Sequence, residues 1–172
     1  MINPFGKTYT DNELVVFEYL KRLPLFADLS NKEMSVFIPY LHERTYQRDE
    51  VIFFRNDPSH ALYLLRRGRV SFTLDVNDNF EELTEFSGEE VIGINCIIPG
   101  SKRLVNAIVL SDRAEFYVIP QDNLFTIFEN NEEIKMKMYQ RLAGTLEQRM
   151  GRLFKSYKSS FGMFNLSDIY KD

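Results

Sequence analysis

The chain has 172 residues, 44% of them hydrophobic and 27% charged, with a formal net charge of -4. That length and composition describe one globular domain with a real core, rich in Phe and Tyr, and leave only a tight fit for two full domains. The acidic balance excludes a surface that binds polyanions over its whole area, so any nucleic-acid role needs a local basic face.

In chain order, the opening Met1-Ile2-Asn3-Pro4 has neither the basic region nor the apolar region of a secretory leader. After it, Asp11-Asn12 precede a helix predicted over Glu13 to Leu23, with Val16, Leu20, Leu23 and Phe17 on its apolar face. Pro24 breaks this helix and Leu25-Phe26 anchor into the core. Ser30-Asn31-Lys32-Glu33 is a capping box for a second helix, predicted from about Lys32 to Leu41.

From Arg44 the pattern turns to short apolar runs separated by Gly, Asn, Asp and Pro, as in antiparallel strands joined by tight turns. The runs are Val51 to Phe54, Ala61 to Leu65, Val70 to Val76, Phe80 to Phe86, Val105 to Leu110 and Ala114 to Ile119. Asn77-Asp78-Asn79 is the clearest hairpin turn. The predicted fold is mainly β with flanking helices, an antiparallel jelly roll of about eight strands that closes most of its own edges.

A helical period returns at Leu124 and persists from Glu132 to about Ser159. Tyr139, Leu142, Leu146, Met150, Leu153 and Tyr157 step by 3, 4, 4, 3 and 4, a near-heptad stripe along a helix of roughly 40 Å. So long a stripe predicts pairing with a second copy of the chain, with burial under the tail Phe161 to Tyr170 as the competing reading. The divisions read as a helical leader (1–22), a β-roll (23–130), a dimerisation helix (131–159) and a tail (160–172).

Between Leu23 and Leu153 the chain resembles the cyclic-nucleotide-binding domain family, the sensor module of catabolite-activator-type (Crp-Fnr) regulators, of protein kinase regulatory subunits and of some ion channels. The first half of the resemblance is carried by Asp49-Glu50-Val51-Ile52-Phe53, Asn56-Asp57, Leu62-Tyr63-Leu64 and Gly68-Arg69-Val70. Asp49 and Asn56 stand where the family has glycines, and both types tolerate a left-handed backbone. The second half is carried by Gly88-Glu89-Glu90-Val91-Ile92-Gly93-Ile94, the segment Asn95 to Gly100 and Arg103-Leu104-Val105-Asn106-Ala107, which are similar to the family's phosphate-binding cassette.

The resemblance implies that Arg103 and the turn at Gly93 face a cyclic phosphate, because a guanidinium and backbone N–H groups answer its charge with short hydrogen bonds. It also implies a ribose-binding Glu nine residues before the Arg, where this chain has Ile94. Ile94 has no acceptor, so a 2'-hydroxyl there would be desolvated without a partner at roughly 1 to 3 kcal/mol. Leu104 and Val105 replace small residues that let the backbone approach the phosphate. Binding of cAMP is therefore expected to be weak or absent. Asn95, in the short cassette helix, is a candidate donor to a different polar ligand, Cys96 is a packing residue, and Thr145 falls near where the family touches the base.

No enzyme chemistry is legible. His42 and His60, the only histidines, do not gather into a metal site, and no nucleophile-histidine motif, P-loop or dinucleotide fingerprint occurs. Glu81, Glu82, Glu85, Glu89 and Glu90 read as a solvated strand face. The lone cysteine excludes an internal disulfide, and no apolar run reaches the length of a membrane span, which together suggest the cytoplasm.

The resemblance would place a winged helix-turn-helix after the long helix, but only about Ser160 to Asp172 remain, so no sequence-specific DNA contact is expected from this chain alone. Lys135, Lys137, Arg141, Arg149, Arg152, Lys155 and Lys158 make the last helix basic, suited to phosphates or to an acidic protein partner. The reading is a noncatalytic sensory domain with an altered pocket, for which a cyclic nucleotide or another small anion is the candidate ligand. A protein-interaction module with its pocket filled by Ile94, Leu104 and Val105 is the alternative, and a DNA regulator working through partners or its basic helix is the third.

Overall fold

The structure, a computed structural model, describes residues 8–76 and 79–159. The turn residues Asn77 and Asp78 and the tail 160–172 lie outside the described residues.

The first helix, α1 (Asp11–Arg22), starts two residues earlier than the apolar period suggests, because Thr10 caps it. The Thr10 Oγ1 accepts from the Glu13 N–H at 3.2 Å and the Glu13 carboxylate accepts from the Thr10 N–H at 2.8 Å. This reciprocal box satisfies donors that a helix start otherwise leaves open. Phe17, Tyr19 and Leu20 are buried, and the short 3-10 turn Pro24–Phe26 buries Leu25 and Phe26.

The capping box at Ser30 and Glu33 is present, but α2 is only Asn31–Met34, and a 3-10 turn Ile38–Tyr40 replaces the rest of the predicted helix. Pro39 is the physical reason: it has no N–H to donate four residues back, its ring crowds that carbonyl, and it disfavours helical backbone at Ile38.

Eight strands follow. They are β1 (His42–Gln47), β2 (Val51–Phe53), β3 (Ala61–Arg67), β4 (Arg69–Val76), β5 (Asn79–Ser87), β6 (Glu90–Ile92), β7 (Asn106–Val109) and β8 (Arg113–Pro120). They form two four-stranded antiparallel sheets, ordered β1-β8-β3-β6 and β2-β7-β4-β5, folded over one another as a jelly roll. The strands β1 and β6 had no apolar run to announce them: β1 is largely exposed, and β6 is only three residues long.

Asp49 and Asn56 have φ of 65° and 69° and are the non-glycine residues with positive φ among the described residues. Both turns keep the left-handed backbone the resemblance implies.

Two apolar clusters hold the fold. One fills the roll, with Ile52, Phe53, Leu65, Val70, Ile92, Ala107, Val109, Ala114 and Phe116. The other joins the roll to the helices through Phe17, Phe26, Phe37, Leu62, Leu64, Ile97 and Leu124.

After α3 (Gln121–Asn130) comes the long helix α4 (Glu132–Ser159). Its first half is built into the domain, with Ile134, Met138 and Leu142 buried. Lys137 bridges Glu33 at 2.7 Å and Glu133 at 2.8 Å, and Arg141 forks onto Asp28. Past Leu142 the apolar side chains emerge: Leu146, Met150 and Leu153 are 45–48% exposed. Among the described residues no helix is long and apolar enough to cross a membrane.

Candidate ligand cassette and cleft

Strand β6 runs into Gly93, whose φ of 74° turns the chain sharply into the 3-10 turn Ile94–Ile97. The expected cassette helix is thus a single tight turn. The loop behind it is zipped to residues 56–60: Ser59 N–H donates to Ser101 O at 3.0 Å, Arg103 N–H to Asp57 O at 2.8 Å, and Asn56 N–H to Arg103 O at 2.9 Å. Asn95 supports the zip from inside, accepting from Ser59 Oγ at 3.3 Å while its amide donates to Lys102 O. Its side chain is therefore engaged with the loop rather than offered to a ligand.

Arg103 sits at the centre of this segment, only 3% exposed. Its Nη1 donates to Gly93 O at 3.1 Å and its Nη2 to Ala61 O at 2.6 Å. The guanidinium lies 4.1 Å from the Phe53 ring centroid and 5.7 Å from that of Tyr63. Burial lowers its pKa, yet a guanidinium stays charged, so two carbonyl dipoles and two aromatic faces must answer the cation. No carboxylate among the described residues forms an ion pair with it, and its buried Nε has no hydrogen-bond partner. The arginine that the resemblance assigns to a phosphate is engaged in holding the cassette to β3.

Beside it lies a cavity of about 160 Å³ bordered by Gly93, Ile94, Asn95, Arg103, Leu104 and Val105. A larger cleft of about 410 Å³ adjoins it between the roll and α4, and Phe72, Val91, Ile94 and Arg149 border both. Thr145 borders the larger one, its hydroxyl donating to Arg141 O at 2.8 Å.

The filled-pocket expectation needs correction at Leu104, which is 72% exposed and lies on the rim, whereas Ile94 is buried at the junction of the two spaces. A Leu in a loop has no apolar surface to seek when the loop itself stands at the surface. Sequence reasoning missed Phe53, Phe72, Phe86 and Val91 as lining residues. Alternation along strands marks them as inward-facing but does not say whether they face core or cavity.

The predicted stripe divides. Leu142 is 4% exposed in the domain's own core and Tyr139 donates its hydroxyl to Ile97 O at 2.9 Å, so these two act within the chain rather than in a dimer interface. Leu146, Met150 and Leu153 remain exposed and Tyr157 is half-buried.

Cys96 is fully buried and burial, partly opposed by Arg103, pushes its thiol pKa up to about 12, which removes the reactive thiolate. Among the described residues no group of His, Cys, Asp and Glu is arranged to hold a metal ion.

Two four-stranded sheets rolled over one another, with a glycine turn and a buried arginine beside a long helix, define the class of fold. The chain belongs to the cyclic nucleotide-binding domain family, whose sequence profile matches residues 43–131. It is 26% identical over 109 residues to the cyclic AMP receptor protein of Thermus thermophilus, an alignment covering 63% of this chain and 50% of that protein. Among solved structures, a cyclic nucleotide-binding domain from Methylobacillus flagellatus aligns with a TM-score of 0.69 at 22% identity, covering 90% of this chain and 85% of that one. The N-terminal domain of a transcriptional regulator from Streptomyces coelicolor aligns with a TM-score of 0.67 at 21% identity, covering 87% and 98%. The chain spans half or less of the length of the curated relatives it matches first.

A Cβ added at Gly93 would stand 2.1 Å from Arg103 Nη1, on a backbone that already disfavours side chains. Gly93→Ala should therefore expel the guanidinium from its two carbonyls and destabilise the fold by about 2 to 4 kcal/mol, combining left-handed strain with lost buried hydrogen bonds. Urea unfolding monitored by circular dichroism checks this, and a variant as stable as the parent would contradict it.

Proposed function

We propose that this chain is a noncatalytic sensory or regulatory domain whose cassette has lost tight cyclic-nucleotide binding. The observation that carries the reading is the state of Arg103: buried, forked between Gly93 O and Ala61 O, and stacked against Phe53. A phosphate would have to draw that guanidinium off both carbonyls; Gly93 O keeps its bond from the Cys96 N–H, while Ala61 O loses the Arg103 donor, at about 1 to 3 kcal/mol. Ile94 gives a ribose hydroxyl no acceptor, and Leu104 and Val105 crowd the approach. The space that remains beside the cassette favours a sensor over a domain with a filled pocket. A single cysteine, buried and free, suits a reducing, cytoplasmic setting.

Output would pass through α4. Its first half is rigidly tied to the roll by Lys137, Arg141 and Tyr139, so a change at the cassette or in the cleft is transmitted to the distal half. Such a change acts only if the occupant binds one helix position better than another. The exposed Leu146, Met150 and Leu153 suit a homodimer in which two distal halves cover each other.

Calorimetric titration with cAMP and cGMP to millimolar concentration, beside Arg103→Ala, tests the cassette. No saturable heat at micromolar ligand is expected, whereas micromolar binding abolished in Arg103→Ala would overturn the reading. Sedimentation analysis tests the output face. The parent should be dimeric and Leu146→Glu/Leu153→Glu should shift it to monomer, and a parent that sediments as a monomer would remove the dimer from the account.

A further inference from the structure

We infer that the cleft between the β-roll and the distal half of α4 binds a small organic anion with an apolar body, its acidic group held by Arg149 and Arg152 rather than by the cassette arginine. This rests on the regulatory reading above and deepens it by naming the ligand class.

Thr145, Arg149 and Arg152 stand at positions i, i+4 and i+7 of α4 and so share one helix face, and all three border the cleft. The two arginines therefore stand at the solvent-exposed rim of the cleft, on the helix side facing the roll. Earlier on the same helix Lys137 and Arg141 are matched with Glu33 and Asp28, yet neither Arg149 nor Arg152 has an ion pair among the described residues. Glu90 is the acid bordering the cleft, and its carboxylate accepts from the Val91 N–H at 3.0 Å. Two guanidinium groups against one carboxylate leave the helix side of the cleft net positive, inside a chain whose overall charge is -4.

The opposite wall is apolar. Phe72 and Phe86 meet edge to face with ring centroids 4.7 Å apart, and Leu25, Val91 and Ile94 extend the surface around them. At about 410 Å³ the space has the size of a small-molecule pocket and not of a groove for a polymer. A flat, greasy body against the phenylalanines and a carboxylate, sulfonate or phosphate forked by the arginines satisfies both walls, because guanidinium groups match planar or tetrahedral oxyanions with paired hydrogen bonds. The cassette end is the weaker anion site, since both terminal nitrogens of Arg103 already donate to backbone carbonyls and its unpaired Nε is buried.

The probe is anilinonaphthalene sulfonate, an aromatic monoanion that fluoresces on binding, titrated beside the uncharged N-phenylnaphthylamine. The sulfonate should bind saturably at one site. Its affinity should fall about tenfold or more in Arg149→Gln/Arg152→Gln, as expected when hydrogen bonds to a charged group are removed, and recover substantially in Arg149→Lys/Arg152→Lys. The neutral probe should bind parent and both variants alike. Both substitutions lie on an exposed helix face, and circular dichroism verifies that each variant keeps its helix. Sulfonate binding that is unsaturable, or that is indifferent to the loss of both charges, would overturn the inference while leaving the regulatory reading standing. Micromolar cAMP binding that depends on Arg103 would overturn that earlier reading instead, and is measured independently of the sulfonate.

Discussion

The fold around the cassette depends on one buried cation. Arg103 ties together three parts of the chain: the carbonyl of Gly93 at the cassette turn, the carbonyl of Ala61 at the start of β3, and the ring of Phe53 on β2. A guanidinium is the one side chain whose rigid fork can bond two carbonyls while its face lies on an aromatic ring. The constraint runs outward from there. Gly93 has to lack a side chain because the guanidinium occupies the place of its Cβ, and the loop 98–103 has to lie flat along residues 56–60 because the backbone of Arg103 is bonded to Asp57 and Asn56.

That arrangement explains how a member of the cyclic nucleotide-binding domain family can keep the family's cassette outline while its arginine serves the protein itself. The same residues that make a phosphate site, an arginine beside a glycine turn, make an internal clamp when the guanidinium folds back. Ile94, packed at the junction of cavity and cleft, adds apolar surface where a polar partner would be needed. The cleft towards α4 is bordered by Arg149 and Arg152, which have no ion pair among the described residues, and by the rings of Phe72 and Phe86.

The helix α4 divides its labour along its length. Up to Leu142 it is part of the domain, anchored by burial and by the pairs of Lys137 with Glu33 and of Arg141 with Asp28. The pairs also lower the carboxylate pKa values: the hydrogen bond from Arg141 acts on Asp28, while at Glu33 burial pushes upward and is outweighed by Lys137 and Ser30. Groups with lowered folded-state pKa values contribute stability above their unfolded values, and that contribution is lost as pH falls through the folded ones. Beyond Leu142 the helix borders the cleft with Thr145, Arg149 and Arg152, while Leu146, Met150 and Leu153 are exposed.

Much of this was legible in the sequence. The strand runs and the long helix follow from local periodicity, and the left-handed turns at Asp49 and Asn56 from the resemblance, whose family has glycines at those positions. The length of α2 was misjudged because the capping box at Ser30 outweighed Pro39, and β1 escaped notice because an edge strand with exposed side chains has no apolar run. The orientation of Arg103 was beyond reach, since whether a guanidinium points into a cavity or back into the fold depends on Ala61, Phe53 and Tyr63 converging from distant positions. Arg149 and Arg152 were visible as basic residues, but their place on the same cleft as Phe72 and Phe86 is a tertiary fact.

The central claim is that Arg103 holds the fold rather than a ligand, and the stability of Arg103→Ala in the absence of any ligand tests it most directly. Loss of the charged bonds to Ala61 O and Gly93 O, the latter still held by the Cys96 N–H, and of the contact with the Phe53 ring should cost about 2 to 4 kcal/mol in urea unfolding. Arg103→Lys should recover only part of this, because an ammonium lacks the fork. An Arg103→Ala protein as stable as the parent, or more stable, would contradict the account and return the arginine to the role of a residue reserved for an anion.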